Sequence, residues 1–168
     1  LSILRLDRQK PVAEKTVEGT LFLSLQYTDS GRIAAVGDNR ADFFTADGQK
    51  DTTYSYDDKS IRCYYNEEGR TAVALGAYGS GSQSTLVSFS GDGKVAGRTD
   101  IAGAAQALYA AGGRLTMLRT SDVWYGTTKC KQQGTVAVSG DPLEALLLKN
   151  HIYVFGLQSV NRFAAKGS

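Results

Sequence analysis

Two short stretches decide the fold of this chain: FFTADGQK at residues 43–50 and VSFSGDGK at residues 87–94. In each, a Phe stands four residues before a Gly, an Asp directly precedes that Gly, and a Lys follows it closely. An Asp-Gly pair between apolar stretches is typical of a tight hairpin turn, because Gly takes positive φ angles without steric cost. The chain therefore repeats one β-hairpin, and the repetition predicts architecture rather than chemistry.

A second element recurs before each hairpin: a polar pair, usually Gly-Arg, followed by a compact apolar run. Its copies are GRIAAVG from Gly31, GRTAVALG from Gly69, GRLTML from Gly113 and NHIYVFG from Asn150. The unit therefore repeats about every forty residues. Phe163 and Gly167 repeat the Phe-to-Gly spacing at the end of the chain, whereas the third unit is degraded and has Cys130 where the Gly is expected.

Each unit predicts four antiparallel strands, the second of which is apolar on consecutive residues and is therefore covered on both faces. The predicted units span residues 20–56, 57–101, 102–140 and 141–168 of a single domain, with residues 1–17 supplying strands of a preceding unit. Phe44, Phe89 and Phe163 are expected at equivalent positions. We expect the following side chains to be buried: Ile33, Val36, Val73, Leu75, Leu118, Val154 and Phe155.

Two stretches have a local preference for helix, DPLEALLLKN at residues 141–150 and IAGAAQALYAAGG at residues 101–113. The first has Asp141 as an N-cap and Pro142 at the first helical position, and the second is rich in Ala. Both occupy the slot of a first strand and precede a tight turn and an apolar run. We predict strands, because tertiary context outweighs weak propensity, with helices as the alternative.

The composition favours a soluble all-β protein: 19 Gly, 2 Pro and 9 Tyr among 168 residues, with 21% charged residues and a net charge of +2. The basic residues are scattered, so the sequence lacks the electrostatic footprint of nucleic-acid binding. No apolar run approaches the roughly 20 residues needed to span a bilayer. Cys63 and Cys130 are interpreted as two separate thiols, and a disulfide between them would imply an oxidising compartment.

Four-stranded units of this length, each with a doubly buried second strand, resemble the blades of β-propellers of the WD-repeat or quinoprotein-like type. The Gly-His and Trp-Asp pairs of WD repeats and the Trp-docking motifs of quinoprotein blades are missing, so the resemblance concerns fold. The Asp-Gly-Lys turn at Asp92 and the blade rhythm are similar to membrane-anchored extracytoplasmic propeller proteins of bacteria. That resemblance implies an extracytoplasmic location, with the cytoplasm as the alternative, and a membrane anchor outside this chain.

No local pattern predicts a catalytic residue, a metal ligand set or a cofactor. His151 is the single histidine and has no partner set in the spacing. YGSGS at residues 78–82 lacks the Gly-Lys-Ser/Thr of a phosphate loop. The carboxylate pairs Asp47 with Asp51 and Asp57 with Asp58 lack the spacing of a calcium loop.

Aromatic side chains near strand ends are the better candidates for binding, because amphipathic rings stack on sugars or anchor proteins. They are Tyr54, Tyr56, Tyr64, Tyr65, Tyr78, Trp124 and Tyr125. Tyr78 in the inserted loop and Trp124 and Tyr125 in the irregular third unit are the predicted binding residues, with packing between blades as the alternative. The predicted function is a non-enzymatic scaffold or binding module with a protein or cell-surface glycan partner. The alternative is a glycan-binding, hydrolytic or lyase propeller whose site is assembled from several blades.

The repeat phase at the ends predicts an incomplete ring. Leu1 to Leu6 and residues 159–168 both align with a third strand, so the chain spans about four repeats and a surplus strand. Open arrays expose strand edges and apolar faces. We therefore expect a larger ring, completed by further sequence or by self-association with a second copy.

Overall fold

The computed structural model describes residues 2–3, 13–14, 16–77 and 83–165, which form strands and turns and no helix. The strands are β1 Ser2–Ile3, β2 Ala13–Glu14, β3 Phe22–Tyr27, β4 Ile33–Gly37, β5 Arg40–Phe44, β6 Lys50–Ser55, β7 Lys59–Glu67, β8 Arg70–Ala77, β9 Gln83–Phe89, β10 Val95–Ala102, β11 Ala105–Ala111, β12 Arg114–Arg119, β13 Asp122–Thr127, β14 Gln132–Ala137, β15 Pro142–Leu148, β16 His151–Gly156 and β17 Val160–Ala164.

Consecutive strands pair antiparallel into a row of sheets: β3–β6, β7–β10, β11–β14 and the three-stranded β15–β17. The short strands β1 and β2 pair with each other. The prediction of an all-β array of blade-like sheets is confirmed, and the sheets are not closed into a ring. Both stretches with helical preference are strands, β11 and β15.

The repeated Asp-Gly turn has a three-residue loop. The Thr45 amide donates to the Gln49 carbonyl at 2.8 Å, and the Gly48 amide donates to the Thr45 carbonyl at 2.9 Å. Gly48 has φ of 83°, whereas Asp47 is not left-handed and its carboxylate instead accepts a hydrogen bond from the Thr45 hydroxyl. The positive φ therefore falls on the Gly alone, as in hairpins with a glycine bulge.

The same turn occurs four times in the part of the chain that the structure describes. It begins at Thr28, Thr45, Ser90 and Thr127. In each copy the amide of this first residue donates to the carbonyl four residues later, and its carbonyl accepts from the amide three residues later. Cys130 occupies the Gly position of the fourth copy with φ of 57°, so the degraded third unit keeps the turn. The Ser or Thr hydroxyl also holds the turn: that of Thr45 accepts from the amide four residues later at 3.1 Å. The sequence pattern alone does not single out this residue.

The second and third strands carry the core. Six of the seven side chains predicted to be buried are buried, namely Ile33, Val36, Val73, Leu75, Leu118 and Val154. The prediction for Phe155 is wrong, since it is only half-buried. Its face of the fourth sheet points away from the third sheet, and no further described sheet covers it.

The three repeated phenylalanines occupy equivalent positions, as predicted. Phe44 lies opposite Ile33, Phe89 opposite Thr71, and Phe163 opposite Ile152. Phe89 and Phe163 pack against the preceding sheet. Phe44 lies on the corresponding face of the first sheet, where Val17 and Phe22 pack beside it.

The chain ends fit the repeat only in part. The predicted strand Leu1 to Leu6 lies largely outside the described residues, although Ser2–Ile3 pairs with Ala13–Glu14. At the other end β17 is a third strand, as predicted. Among the described residues no helix is long and apolar enough to cross a membrane.

Candidate functional site

The first strands of successive sheets lie next to one another and enclose a concave surface. We call this surface the inner groove. It has a volume of about 530 Å³ and is lined by Leu23 and Ser24 of β3, residues 61–67 of β7, residues 106–109 of β11 and Glu144 of β15. All four sheets contribute to it, so a motif search along the sequence cannot find it.

Tyr64 is the most exposed of the aromatic side chains that line the inner groove. It is 36% exposed, and its hydroxyl donates a hydrogen bond to the Leu23 carbonyl at 3.2 Å. The bond fixes the ring across the boundary between the first and second sheets. Leu23 is itself 40% exposed beside it. Together they offer an ordered apolar surface with a polar tip.

Charged and amide groups surround this apolar part. Arg62, Glu67, Gln106 and Glu144 are exposed along the inner groove. The Arg62 guanidinium donates to the Ala77 carbonyl at 2.9 Å, which holds its side chain along the sheet edge. The groove therefore carries both signs of charge and favours a ligand with mixed polarity over a polyanion.

A buried amide network fixes the wall between the first two sheets. Asn66 is 4% exposed, and its side-chain oxygen accepts from Gln26 at 2.9 Å and Thr71 at 2.8 Å. Its amide nitrogen donates to Ser24 at 3.1 Å and to the Ala34 carbonyl at 3.3 Å. With its hydrogen-bonding capacity used inside the protein, Asn66 positions the groove and is not free to bind.

Two groups of the groove, Cys63 and Tyr65, have raised pKa values. Burial raises the pKa of the Cys63 thiol to about 12. Burial, with the negative charge of Glu68, also raises the pKa of Tyr65 to about 12, and the Tyr65 ring packs edge-on against Tyr109 at 5.2 Å between centroids. A thiol protonated at neutral pH is a poor nucleophile, so Cys63 does not endow the groove with reactivity.

The structure describes two of the three predicted binding residues, Trp124 and Tyr125, and both are buried between sheets. Tyr78 lies outside the described residues. Trp124 and Tyr125 are 1% and 2% exposed, and their rings lie on opposite faces of the third sheet, against the second and fourth sheets respectively. Ligand binding by these residues stays a prediction, and it would require both rings to leave the packing between sheets.

Other candidates from the sequence have structural partners. Asp51 pairs with Arg32 at 2.6 Å, and the Thr45 hydroxyl lowers the pKa of Asp47 in its turn. His151 lies on the fourth sheet with its ring 6.4 Å from that of Tyr153. Among the residues described, no group of three or more His, Cys, Asp or Glu side chains is arranged to hold a metal ion.

Comparison with known proteins defines the class of fold. No family model matches the chain, and no curated protein is significantly similar to it in sequence. Solved structures are similar: a protein of unknown function from Bacteroides caccae (18% identity, TM-score 0.53, covering 89% of this chain and 62% of that one), BamB from Moraxella catarrhalis (16%, 0.56, 95% and 50%), and BBS1N in complex with ARL6DN (9%, 0.62, 88% and 50%).

BamB and BBS1N are propellers, and likeness at these identities concerns the fold alone. The chain is thus a propeller-like array of blades. It spans between half and 62% of the length of these three structures.

Proposed function

We propose that this chain is a non-enzymatic binding module that presents the inner groove to an extended segment of a partner protein. The observation that carries the proposal is the groove itself, in which ordered aromatic and apolar side chains lie among exposed polar groups of both charges. Protein interfaces have this composition, with aromatic anchors at the centre and a polar rim. The structural likeness to BBS1N, which was solved in complex with ARL6DN, supports a protein partner.

Site-specific photo-crosslinking tests the proposal. A photoreactive phenylalanine analogue replaces Tyr64 in the groove and, in a control, Val95, which is 46% exposed on the outermost strand of the second sheet. We expect a discrete protein adduct from position 64 in cells that make the protein, and none from position 95. Adducts of equal pattern from both positions would contradict a specific groove.

The identified partner then allows a quantitative test. Tyr64→Ala should weaken its binding by about tenfold or more, as expected for an aromatic anchor. Tyr64→Phe keeps the ring but loses the hydrogen bond to Leu23, so it should bind more tightly than the alanine variant. An unchanged affinity in Tyr64→Ala, or binding of an oligosaccharide in place of the protein, would overturn the proposal.

We also propose an extracytoplasmic location, which rests on the sequence resemblance, with the cytoplasm as the alternative. Protease accessibility of an epitope-tagged protein on intact cells distinguishes the two.

A further inference from the structure

The first strand of every sheet in the array carries a β-bulge at the same level. In the first sheet Leu23 is the extra residue, because the pairing with β4 passes from Phe22 directly to Ser24. The register of β7, β11 and β15 shifts in the same way, and the extra residues there are Arg62, Gln106 and Leu143. The residues that follow the bulges lie opposite equivalent positions of the second strands, namely Val36, Ala74, Leu118 and Phe155. The bulge is therefore a repeated part of the unit.

These bulges supply side chains to the inner groove. A β-bulge interrupts the regular alternation of a strand and re-aims a side chain. All four extra residues are exposed. Three of them, Leu23, Arg62 and Gln106, line the inner groove. In the fourth sheet Glu144, the residue after Leu143, lines it. One level of the groove thus displays a different side chain on each sheet, on a backbone feature that all four sheets share.

The charges at this level are ordered across the array. Arg62 lies on the second sheet and Glu144 on the fourth, with the neutral amide of Gln106 on the third sheet between them. The bond to the Ala77 carbonyl holds the Arg62 guanidinium on the second sheet. Among the described residues no basic side chain forms a salt bridge with Glu144. Glu67 lies at the far end of β7, away from the bulges. The bulge level is therefore positive at the second sheet and negative at the fourth.

We propose that the inner groove binds a partner segment that crosses the first strands and carries an acidic side chain against Arg62 and a basic side chain against Glu144. An apolar side chain of the segment packs on Leu23 and Tyr64, beyond the acidic one. The inference rests on the proposed function and names the chemistry of the segment. Complementary charges of this kind fix register and direction.

The distance between the two charges limits their spacing in the partner. Adjacent first strands approach to within 8 Å between Cα atoms, for β7 with β11 and for β11 with β15. An extended segment advances about 3.3 Å per residue, so about five residues cover both steps. The segment therefore carries the order apolar, acidic, basic, with its two charged residues within about five positions of each other.

Selection from a random peptide library displayed on phage, with the 168-residue chain as bait, tests this order. We expect the bound peptides to be enriched in it. Arg62→Glu should exchange the acidic position for a basic one, and Glu144→Arg should exchange the basic position for an acidic one. Arg98→Glu is the matched control, because Arg98 is exposed on the outermost strand of the second sheet. That variant should select the same peptides as the unsubstituted chain.

A synthetic peptide of the selected sequence gives the affinities by fluorescence anisotropy. Arg62→Glu should weaken its binding by about tenfold or more, and replacement of the peptide's acidic residue by Lys should restore binding to this variant. Restored binding also shows that the variant is folded.

Two results would overturn the inference. One is a set of peptides whose binding depends on Tyr64 but is indifferent to both charge reversals, which would leave the proposed function standing. The other is the absence of any enriched peptide, in which case crosslinking from position 64 decides the proposed function separately.

Discussion

At the scale of single residues, Gly93 meets two separate demands. Its φ of 83° lies in the left-handed region, which costs a residue with a Cβ about 1–2 kcal/mol. A Cβ at this position would also lie 2.6 Å from Cγ of Phe43, in the neighbouring sheet. The turn of the second sheet is therefore fitted to the core of the first, and it is not only a local device for reversing the chain.

A matched pair of substitutions separates these two demands. Gly31 takes φ of 71° in another copy of this turn, the one that begins at Thr28, and a Cβ there would meet nothing within 4 Å. We expect Gly31→Ala to lower the free energy of unfolding by about 1–2 kcal/mol through backbone strain alone. Gly93→Ala should cost roughly 1–3 kcal/mol more, because Phe43 must move. Urea denaturation measures both, and equal losses would show that Phe43 yields without cost.

Residue types that must take special backbone angles could be predicted from the sequence, whereas their side-chain partners could not. The position of Gly48 and Gly93 follows from the turn that they share. The hydroxyls of Thr45 and Ser90 could not be predicted, because Ser and Thr occur throughout this chain and carry no distinctive spacing signal alone. Cys130 shows a further limit, since the left-handed conformation is kept there by a residue that seldom adopts it.

At the scale of elements, the third sheet compensates for the Phe that its repeat lacks. Gly126 lies opposite Leu115, at the position that Phe89 occupies in the second sheet. A Cβ at Gly126 would lie 2.4 Å from the Lys131 carbonyl oxygen and 2.6 Å from the Trp124 ring, so the indole and the backbone of the turn together occupy the space of the missing phenyl ring. The equivalent of Trp124 in the second sheet is the smaller Val87.

Replacing Trp124 and Gly126 by the residue types found at the equivalent positions of the second sheet tests this compensation. Trp124→Val alone should destabilise the protein by leaving a cavity. Gly126→Phe alone should destabilise it by overpacking against the indole and against the Lys131 carbonyl, and only the first of these contacts is relieved by Trp124→Val. The two changes together should be less destabilising than their sum, with a coupling of at least about 1 kcal/mol. Denaturant unfolding of the four proteins of this cycle measures the coupling. Additive losses would mean that the two positions do not share one space.

The order and type of the elements were predictable because apolar runs recur at a fixed interval and override local propensity. β11 and β15 have helix-favouring compositions, yet each is a first strand beside the buried second strand. Phe155 shows where this reasoning ends. Its strand looks like the other second strands, but burial also depends on whether another sheet lies over it, and strand pattern does not contain that information.

At the scale of the whole molecule, the sheets differ in how much of their surface is covered. The second sheet lies between two others, whereas one face of the fourth sheet has no described sheet over it. Local opening costs less free energy where fewer apolar contacts are lost. We expect the amides of β16 to exchange with deuterium faster than those of β8, although both are central strands.

Hydrogen exchange with mass spectrometry measures this difference strand by strand. Equal protection of β16 and β8 would indicate that the array unfolds as a single cooperative unit.

The inner groove is a property of the whole molecule, because residues of all four sheets line it. For this reason the sequence alone could not predict it. In the sequence, Tyr64 is one of several aromatic side chains near strand ends. Only its hydrogen bond to Leu23, which joins β7 to β3 in space, distinguishes it from the others. Trp124 and Tyr125 stood out because their unit is irregular, and the structure relates that irregularity to packing between sheets. A site assembled from four sheets depends on their arrangement in space.

The register shared by all four sheets has a consequence for how such a chain changes over evolutionary time. Each interface joins equivalent positions, so the gain or loss of a whole unit by recombination would place familiar surfaces against each other. Chains built from this unit are therefore expected to differ in length by multiples of about forty residues.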